Sequence, residues 1–337
     1  MHEGKINREE NNVGKMFNVS ASPHIRSGVT TSTIMRDVAI ALMPACAMGV
    51  YQFGLRALLI LLVSTLTCAV TEYVYLRLTK RKQGPYECSA IVTGMLIGMN
   101  MPPTVPVWIP VIGSIFAILV VKQVFGGLGQ NFMNPALGAR CFLFLCYAER
   151  MNTFAIPQKI GVAVTNWGAA SVDGISGATP LAALKAGETV SLFDAFFGFT
   201  GGVIGETSAA MILIGVAYMV YRKVISLRIP LAYLITFSVF LLLFGGQGFD
   251  LYYVACHLCT GGLMLGAFFM ATDYVTSPIT KNGQIVFGVV LGILTGLFRL
   301  YGNNAEGVSY AIIISNLLVP LIEKVTMPKP FGQEGGN

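Results

Sequence analysis

A threonine hydroxyl among small residues is the first candidate for chemistry in this sequence. Residues 173–181 read Asp-Gly-Ile-Ser-Gly-Ala-Thr-Pro-Leu, so Thr179 directly follows Gly177 and Ala178. Small residues let a bulky group approach the backbone, and Pro180 disfavours a helical conformation at Thr179. Two interpretations fit these residues. One is a segment that another enzyme grips in order to modify the hydroxyl; the other is a Gly/Ser/Pro turn between helices.

A pair of cysteines is the second candidate, because Cys256-His257-Leu258-Cys259 has the spacing of a metal or redox pair. On a helix, Cys256 and Cys259 share one face. A tetrahedral site needs four ligands, and the sequence contains one such pair, so further ligands would have to come from a partner. We therefore predict no metal site. The seven cysteines lie mostly within apolar runs, which is typical of small core residues rather than of disulfides.

Charged residues within apolar segments form the third group, because such residues mark ion paths or buried pairs in membrane proteins. Asp273 and Glu306 are the preferred ion-path carboxylates, since breaks between half-helices expose such groups to ions. Helix capping and interfacial solvation are the alternatives. Arg140 is included with them, because a guanidinium within a span must pair with an anion, either a carboxylate or a bound phosphate. The remaining charges of this kind are Asp37, Glu72, Glu87 and Glu206.

The composition indicates that membrane-spanning helices position these residues. Hydrophobic residues make up 54% of the 337 positions and charged residues only 11%, whereas soluble domains carry about 25% charged residues. The surface must therefore face lipid. The net charge of +6 is dispersed along the chain, which excludes a nucleic-acid-binding patch. The first 30 residues are polar, so we expect no cleaved signal peptide.

Ten apolar segments are candidates for membrane spans of about 20 residues each. They lie at 33–51, 55–76, 88–101, 105–124, 133–148, 203–221, 229–246, 252–271, 284–300 and 307–324. A further apolar stretch, 191–201, either skims the membrane or extends the sixth helix. The fold class is thus an all-α integral membrane protein with about ten transmembrane helices.

The distribution of positive charge predicts the orientation, because cytoplasmic loops carry the excess of Lys and Arg. With both termini in the cytoplasm, the 149–190 loop lies outside. Arg140 then lies within a helix, and of the 22 Lys and Arg residues only five fall on the outer side: Arg56, Arg150, Lys159, Lys185 and Arg299.

An internal repeat predicts how the spans are arranged. Segment 93–98 resembles 261–266, and each is followed by a proline-containing break, one apolar span and a Gly/Asn-rich turn. A five-span unit is odd in number, so its two copies have opposite orientations, with short or broken helices meeting near the midplane. Chance similarity between glycine-rich helices is the alternative. The predicted organisation is a cytoplasmic segment (1–32), a first repeat (33–148), an outer loop (149–202), a second repeat (203–325) and a cytoplasmic tail (326–337).

A family resemblance adds to this interpretation. Asp173, Ser176, Gly177, Ala178 and Thr179 form the pattern Asp-x-x-Ser-Gly-Ala-Thr. This pattern resembles the flavinylation signal shared by the D subunits of Rnf ferredoxin:NAD oxidoreductases and the B subunits of sodium-pumping NADH:quinone oxidoreductases. The segments 22–37, 131–136, 270–278 and 306–311 are also similar to this family. The Rnf D subunits fit better, because the B subunits usually carry a longer N-terminal extension.

In that family, a flavin transferase uses FAD to attach FMN to the threonine hydroxyl and releases AMP. The resemblance therefore implies covalent FMN on Thr179 in the outer loop of a bacterial cytoplasmic-membrane protein. It implies an electron-carrying subunit of a complex that moves Na⁺ or H⁺ and acts as an oxidoreductase only when assembled. The implied partners are the other membrane and peripheral subunits, including a second FMN-bearing subunit. The family also implies a non-covalent riboflavin between helices, which the sequence does not place.

Other functions remain open at this stage. The sequence has no GxGxxG turn, no Walker-type loop and no four-cysteine cluster, so electrons must arrive from a partner and leave to one. The alternatives are the B subunit of a sodium-pumping NADH:quinone oxidoreductase and a urea-transporter-like channel for a small solute. The channel stays open because a fold does not fix a function, although the signal ending at Thr179 favours the electron carrier.

Overall fold

All regular structure in the described part of the chain is helical. The computed structural model describes residues 30–80, 88–154, 179–187, 189–302 and 307–328. The chain divides into Met1–Thr30 and Thr31–Asn337, and the helices that the structure describes belong to the second unit. The prediction of an all-α protein is confirmed for these residues.

The described helices fall into two halves of the chain with two short helices between them. The first half contains α1 (Thr31–Phe53), α2 (Leu55–Thr79), α3 (Ser89–Met99), α4 (Trp108–Phe116) continued by a π-helix (Ala117–Gln123), α5 (Pro135–Cys146) and α6 (Ala148–Met151). Next come α7 (Pro180–Lys185) and α8 (Leu192–Phe197). The second half contains α9 (Ala209–Tyr221), α10 (Arg228–Phe244), α11 (Leu251–Cys259), α12 (Leu263–Leu265) continued by a second π-helix (Gly266–Met270), α13 (Lys281–Tyr301) and α14 (Val308–Thr326).

Several helices have the length and composition of membrane spans. Within the described ranges, α1, α2, α13 and α14 are each long and apolar enough to cross a bilayer. A fifth span results if α11 and the segment Leu263–Met270, which meet at a 68° bend, count as one. Five further apolar helices of 10–17 residues occupy the positions of the other predicted spans, but they are short for a straight crossing. The ten-span, two-repeat arrangement therefore stays a prediction.

The burial pattern is the reverse of that in a soluble protein. Along the middle of α2, the exposed positions are apolar, with Leu62, Leu66 and Val70 each more than half exposed, whereas Ser64 and Glu72 are buried. Polar residues pack inside because lipid offers them no hydrogen bonds, and apolar residues face outward because lipid tails accept them. This pattern is what a membrane-embedded helix requires.

Two predicted spans differ from the structure in instructive ways. The sixth begins at Ala209 instead of residue 203, because Ile204 and Gly205 donate backbone hydrogen bonds to Met101 and Met99 and so cannot join a helix. The stretch near 191–201 forms the separate helix α8, which Gly198 ends in a left-handed conformation, so it does not extend the sixth span. The eighth span is broken between Cys259 and Leu263.

Helices α10 and α13 pack closely through small residues. Gly288, Gly292 and Gly296 of α13 all face α10. A Cβ atom on Gly292 would lie 2.6 Å from Thr236 Cβ and 2.9 Å from the Tyr233 carbonyl oxygen. Helices in lipid associate through such close packing because lipid tails provide no hydrophobic drive between them.

Enlarging Gly292 is expected to destabilise the protein. Gly292→Leu would push α13 away from the α10 backbone, and overpacking of this kind typically costs about 1–3 kcal/mol. Thermal unfolding in detergent, followed by the reaction of the buried thiols of Cys46 and Cys68 with a fluorogenic maleimide, would show a lower midpoint. Ile293→Leu, at a neighbouring exposed position, should leave the midpoint unchanged. An equal midpoint for both variants would contradict this packing.

Candidate cofactor-binding site

Thr179 lies at the start of helix α7. Its backbone is extended (φ −63°, ψ 152°), and its Oγ1 accepts a hydrogen bond of 3.3 Å from the backbone N–H of Ala182. Thr179 is thus an N-cap, and Pro180 occupies the first helical position, where a missing N–H costs nothing. The sequence predicted the extended Thr179 but not the helix that follows Pro180. The other residues of the predicted signal, Asp173, Ser176, Gly177 and Ala178, lie outside the described residues.

The threonine borders a cleft of about 340 Å³, here called the Thr179 cleft. Three parts of the chain meet there: the start of α7, the segment before α9 and the end of α11. The residues that line this cleft include Thr179, Leu181, Thr200, Gly202, Glu206 and Cys259. Gly201 and Gly202 of the second segment place no side chain in the cleft.

Glu206, which lines the Thr179 cleft, belongs to a buried ion pair. Arg140 Nη1 lies 2.8 Å from Glu206 Oε1, and both side chains are at most 5% exposed. The same Arg140 nitrogen donates to Asn100 Oδ1 at 2.5 Å, just past the end of α3. The guanidinium of Arg140 thus has a carboxylate partner, one of the two anions expected from the sequence. The charge of Glu206 beside the cleft is therefore compensated by Arg140. Such compensation is needed because a lone charge in low-dielectric surroundings is costly.

The segment that carries Glu206 is anchored by backbone hydrogen bonds. Gly205 N–H donates to the Met99 carbonyl at 2.8 Å, and Ile204 N–H donates to the Met101 carbonyl at 3.1 Å. The non-helical backbone after α3 thus accepts hydrogen bonds from the non-helical backbone before α9. Lipid could not supply these hydrogen bonds. Their pairing holds the carboxylate of Glu206 against Arg140.

The break between α11 and α12 forms another wall. Gly261 and Gly262 both have φ of +67°, a conformation that favours glycine. A Cβ atom on Gly262 would lie only 2.2 Å from Glu206 Oε1. Arg299 of α13 donates to the carbonyls of His257, Thr260 and Gly261. A cation thereby satisfies carbonyls that the end of a helix leaves without intrahelical partners.

The Cys256–Cys259 segment lies on the same helix end. Cys256 Sγ donates to the Val190 carbonyl at 3.6 Å, and the His257 ring packs edge-on against Tyr253 at 4.4 Å. Among the residues that the structure describes, no three His, Cys, Asp or Glu side chains are grouped to hold a metal ion.

A larger cavity of about 690 Å³, the Lys122 cavity, lies between other parts of the helices. The polar residues that line this cavity include Thr93, Lys122, Asn131, Asn134, Thr272 and Asp273. Asp273, predicted from the sequence as an ion-path residue, lines this cavity and accepts from Thr276 Oγ1 at 3.2 Å. Glu306, its predicted companion, lies outside the described residues, and Arg140 instead pairs with Glu206 behind the Thr179 cleft.

Lys122 was missed by the sequence analysis, which counted it among the cytoplasmic charges. The first π-helix turns it inward, where it is 1% exposed. Its Nζ donates to Glu72 Oε1 at 2.6 Å and to Ser89 Oγ at 2.7 Å. Gln123 also donates to Glu72 Oε1 at 2.9 Å. The shared position of Glu72 and Lys122 near the same end of two spans is the only signal that a sequence offers for this pair.

The class of protein follows from these observations. The described residues include four or five apolar helices long enough to cross a membrane. They also include buried ion pairs and irregular segments that bond to each other between the helices. These features fit a multi-pass membrane protein. A family model described as the NQR2, RnfD, RnfE family matches residues 18–332. The chain belongs to this family.

Curated relatives are similar over almost their whole length. The chain is 46% identical to the D subunit of the Na(+)-translocating ferredoxin:NAD(+) oxidoreductase complex of Acetobacterium woodii, covering 93% of this chain and 95% of the relative. It is 38% identical to the D subunit of the proton-translocating ferredoxin:NAD(+) oxidoreductase complex of Clostridium ljungdahlii, covering 94% and 96%. Identity to the D subunit of the ion-translocating oxidoreductase complex of Stutzerimonas stutzeri is 37%, covering 92% and 94%.

Proposed function

We propose that this chain is the D-type membrane subunit of an ion-translocating ferredoxin:NAD oxidoreductase complex and that it carries electrons through FMN bound covalently to Thr179. The observation that carries this proposal is the threonine of the predicted flavinylation signal, located at the edge of a cleft. The names of the similar proteins support the assignment to the complex.

The residues around Thr179 suit an attached flavin. Gly201, Gly202 and Gly261 border the Thr179 cleft and leave room beside the hydroxyl. Thr179 would hold the phosphate, and when bound, the flavin supplies electron transfer in single steps while the protein supplies position and electrostatics. Arg140 neutralises Glu206, so the cleft does not present an unbalanced negative charge to a phosphodiester.

The architecture that we propose is two inverted five-helix repeats in the bacterial cytoplasmic membrane. In this repeat, α1 corresponds to α9, and α5 corresponds to α14. Helix α1 packs against α9, and α5 packs against α14. The charge asymmetry supports cytoplasmic termini and an outer 149–190 loop. Electrons would then enter or leave through Thr179 on the outer side, exchanged with a second FMN-bearing subunit after a flavin transferase has modified this chain.

The coupled ion and a second flavin are further parts of the proposal. The non-covalent riboflavin is proposed to bind at the Lys122 cavity, whose wall includes the aromatic rings of Phe268 and Phe269. Asp273 and Glu306 are proposed to contribute to the ion path. Among the relatives, one is named as sodium-translocating and another as proton-translocating, so similarity alone leaves both ions open.

The attachment of FMN is tested by the fluorescence of denatured protein. The full-length chain, produced with the flavin transferase present, is expected to give a flavin-fluorescent band after denaturing electrophoresis. Thr179→Val should abolish the band, whereas Thr179→Ser should retain it because serine keeps a hydroxyl at the same position. A non-fluorescent wild-type band would exclude the covalent flavin and would favour a solute channel.

A further inference from the structure

The hydroxyl that the proposed modification needs is closed off in the folded protein. Thr179 is 9% exposed, and its Oγ1 faces the N–H of Ala182 within its own helix. A transferase must place the phosphorus of a large dinucleotide against this oxygen. While α7 is packed in place, the cleft beside this oxygen is too small to admit the active site of a transferase.

The contacts of α7 explain why the hydroxyl is closed. Leu181 and Leu184 are 3% and 9% exposed, and Leu181 packs against the helix break at Gly261. Lys185 Nζ donates to the Gly302 carbonyl at the end of α13. Because α7 has only six residues, it is too short to be stable by itself, so these contacts hold it in place. A segment of this kind is expected to open locally without unfolding the rest.

We propose that FMN is attached to Thr179 only while α7 is undocked, and that the docked helix is the state adopted after modification. This inference rests on the proposed flavinylation of Thr179. The docked helix thus excludes the flavin transferase, and the transferase acts on an open conformer in which Leu181 and Leu184 have left their contacts. The transferase then contacts Thr179, Pro180 and Leu181 after they have left the packed helix.

The reaction itself balances without further reagents. Thr179 Oγ1 attacks the phosphorus of the FMN half of FAD, so an Oγ1–P bond forms and the pyrophosphate P–O bond breaks. AMP leaves, and the hydroxyl proton passes to a base of the transferase. The phosphodiester retains oxygen acceptors for the N–H of Ala182, so the start of α7 keeps a cap after modification.

The expected consequence is a modification rate limited by opening. The apparent rate scales with the fraction of molecules in the competent state. Leu184→Ala removes a buried anchor and is expected to speed flavin attachment by about tenfold or more. Lys185→Ala, which removes the bond to Gly302 but no apolar anchor, is expected to give a smaller increase. Leu241→Ala, which also removes a buried leucine side chain but on α10, should leave the rate unchanged.

Time courses on the full-length chain test this directly. Membranes from cells that lack the transferase are mixed with purified transferase and FAD, and the fluorescent band is followed. Equal rates for wild type, Leu184→Ala and Lys185→Ala would overturn the inference while leaving flavin attachment intact. No band in any variant, even after denaturation of the substrate, would overturn the proposed function itself.

A thiol probe separates opening from flavin chemistry. Thr179→Cys is labelled with a maleimide and the modified site is identified by mass spectrometry. We expect labelling about tenfold or more slower than at Ala186→Cys, an exposed position on the same segment, and faster labelling when Leu184→Ala is added. Slow labelling of the buried Cys46 and Cys68 verifies the fold. Equally fast labelling at both positions of a folded protein would contradict the closed state.

Discussion

Thr179→Val is expected to stop electron transfer through the assembled complex while leaving the complex assembled. The substitution removes the only atom of residue 179 that can form the phosphodiester, and the other motifs of the chain offer no substitute redox centre. The measurement is ferredoxin-dependent NAD reduction by membranes or purified complex. Activity should fall to background, accompanied by loss of the flavin band of this subunit.

The helix cap must be separated from the cofactor in this experiment. Thr179→Val also removes the acceptor for Ala182 N–H, and loss of an N-cap costs about 1 kcal/mol. Thr179→Asn keeps a good cap without a hydroxyl, and Thr179→Ser keeps both. Inactive Asn with active Ser would assign the effect to the cofactor. If Asn retained full electron transfer, Thr179 would not be the attachment site.

The second large effect is expected at the buried pair of Glu72 and Lys122. Lys122→Met leaves the carboxylate of Glu72 in a site where it is 4% exposed. Removal of one partner of a buried pair typically destabilises by about 3–5 kcal/mol, because the remaining charge loses its compensation. The measurement is the unfolding midpoint in detergent together with the amount of folded protein in membranes.

Two further variants make this result specific. The double variant Glu72→Gln/Lys122→Met removes both charges and is expected to recover most of the stability. Arg77→Met removes an exposed cation from the same helix, α2, and should change stability by less than about 0.5 kcal/mol. If Lys122→Met behaved like Arg77→Met, the ion pair would contribute little to the fold.

The positions of the helices were largely predictable, because apolar length is a local property of the sequence. The breaks were less so. Residues 203–208 adjoin the sixth span and were predicted as part of it, but Ile204 and Gly205 bond to a segment about a hundred residues earlier in the chain. The pattern of 261–266 indicated a repeat, whereas the bend before Leu263 depends on two left-handed glycines and on Arg299 from another helix.

The candidate threonine could be named from local sequence, whereas its surroundings could not. The residues up to Thr179 carry a recognisable signal, so the threonine was identified from local sequence. Glu206 was noted only as a residue near a span start, because its partner Arg140 lies in a different helix. Lys122 was counted with solvent-facing charges, because a count along the chain cannot show that a π-helix turns it inward.

The guanidinium of Arg299 affects whether an ion could bind at the broken helix. A broken helix leaves carbonyl oxygens of the kind that coordinate sodium in transporters. Here the oxygens of His257, Thr260 and Gly261 are already engaged by a cation fixed to α13. A passing ion would have to displace a charge that cannot diffuse away. At this break, Arg299 thus competes with any ion for these three oxygens.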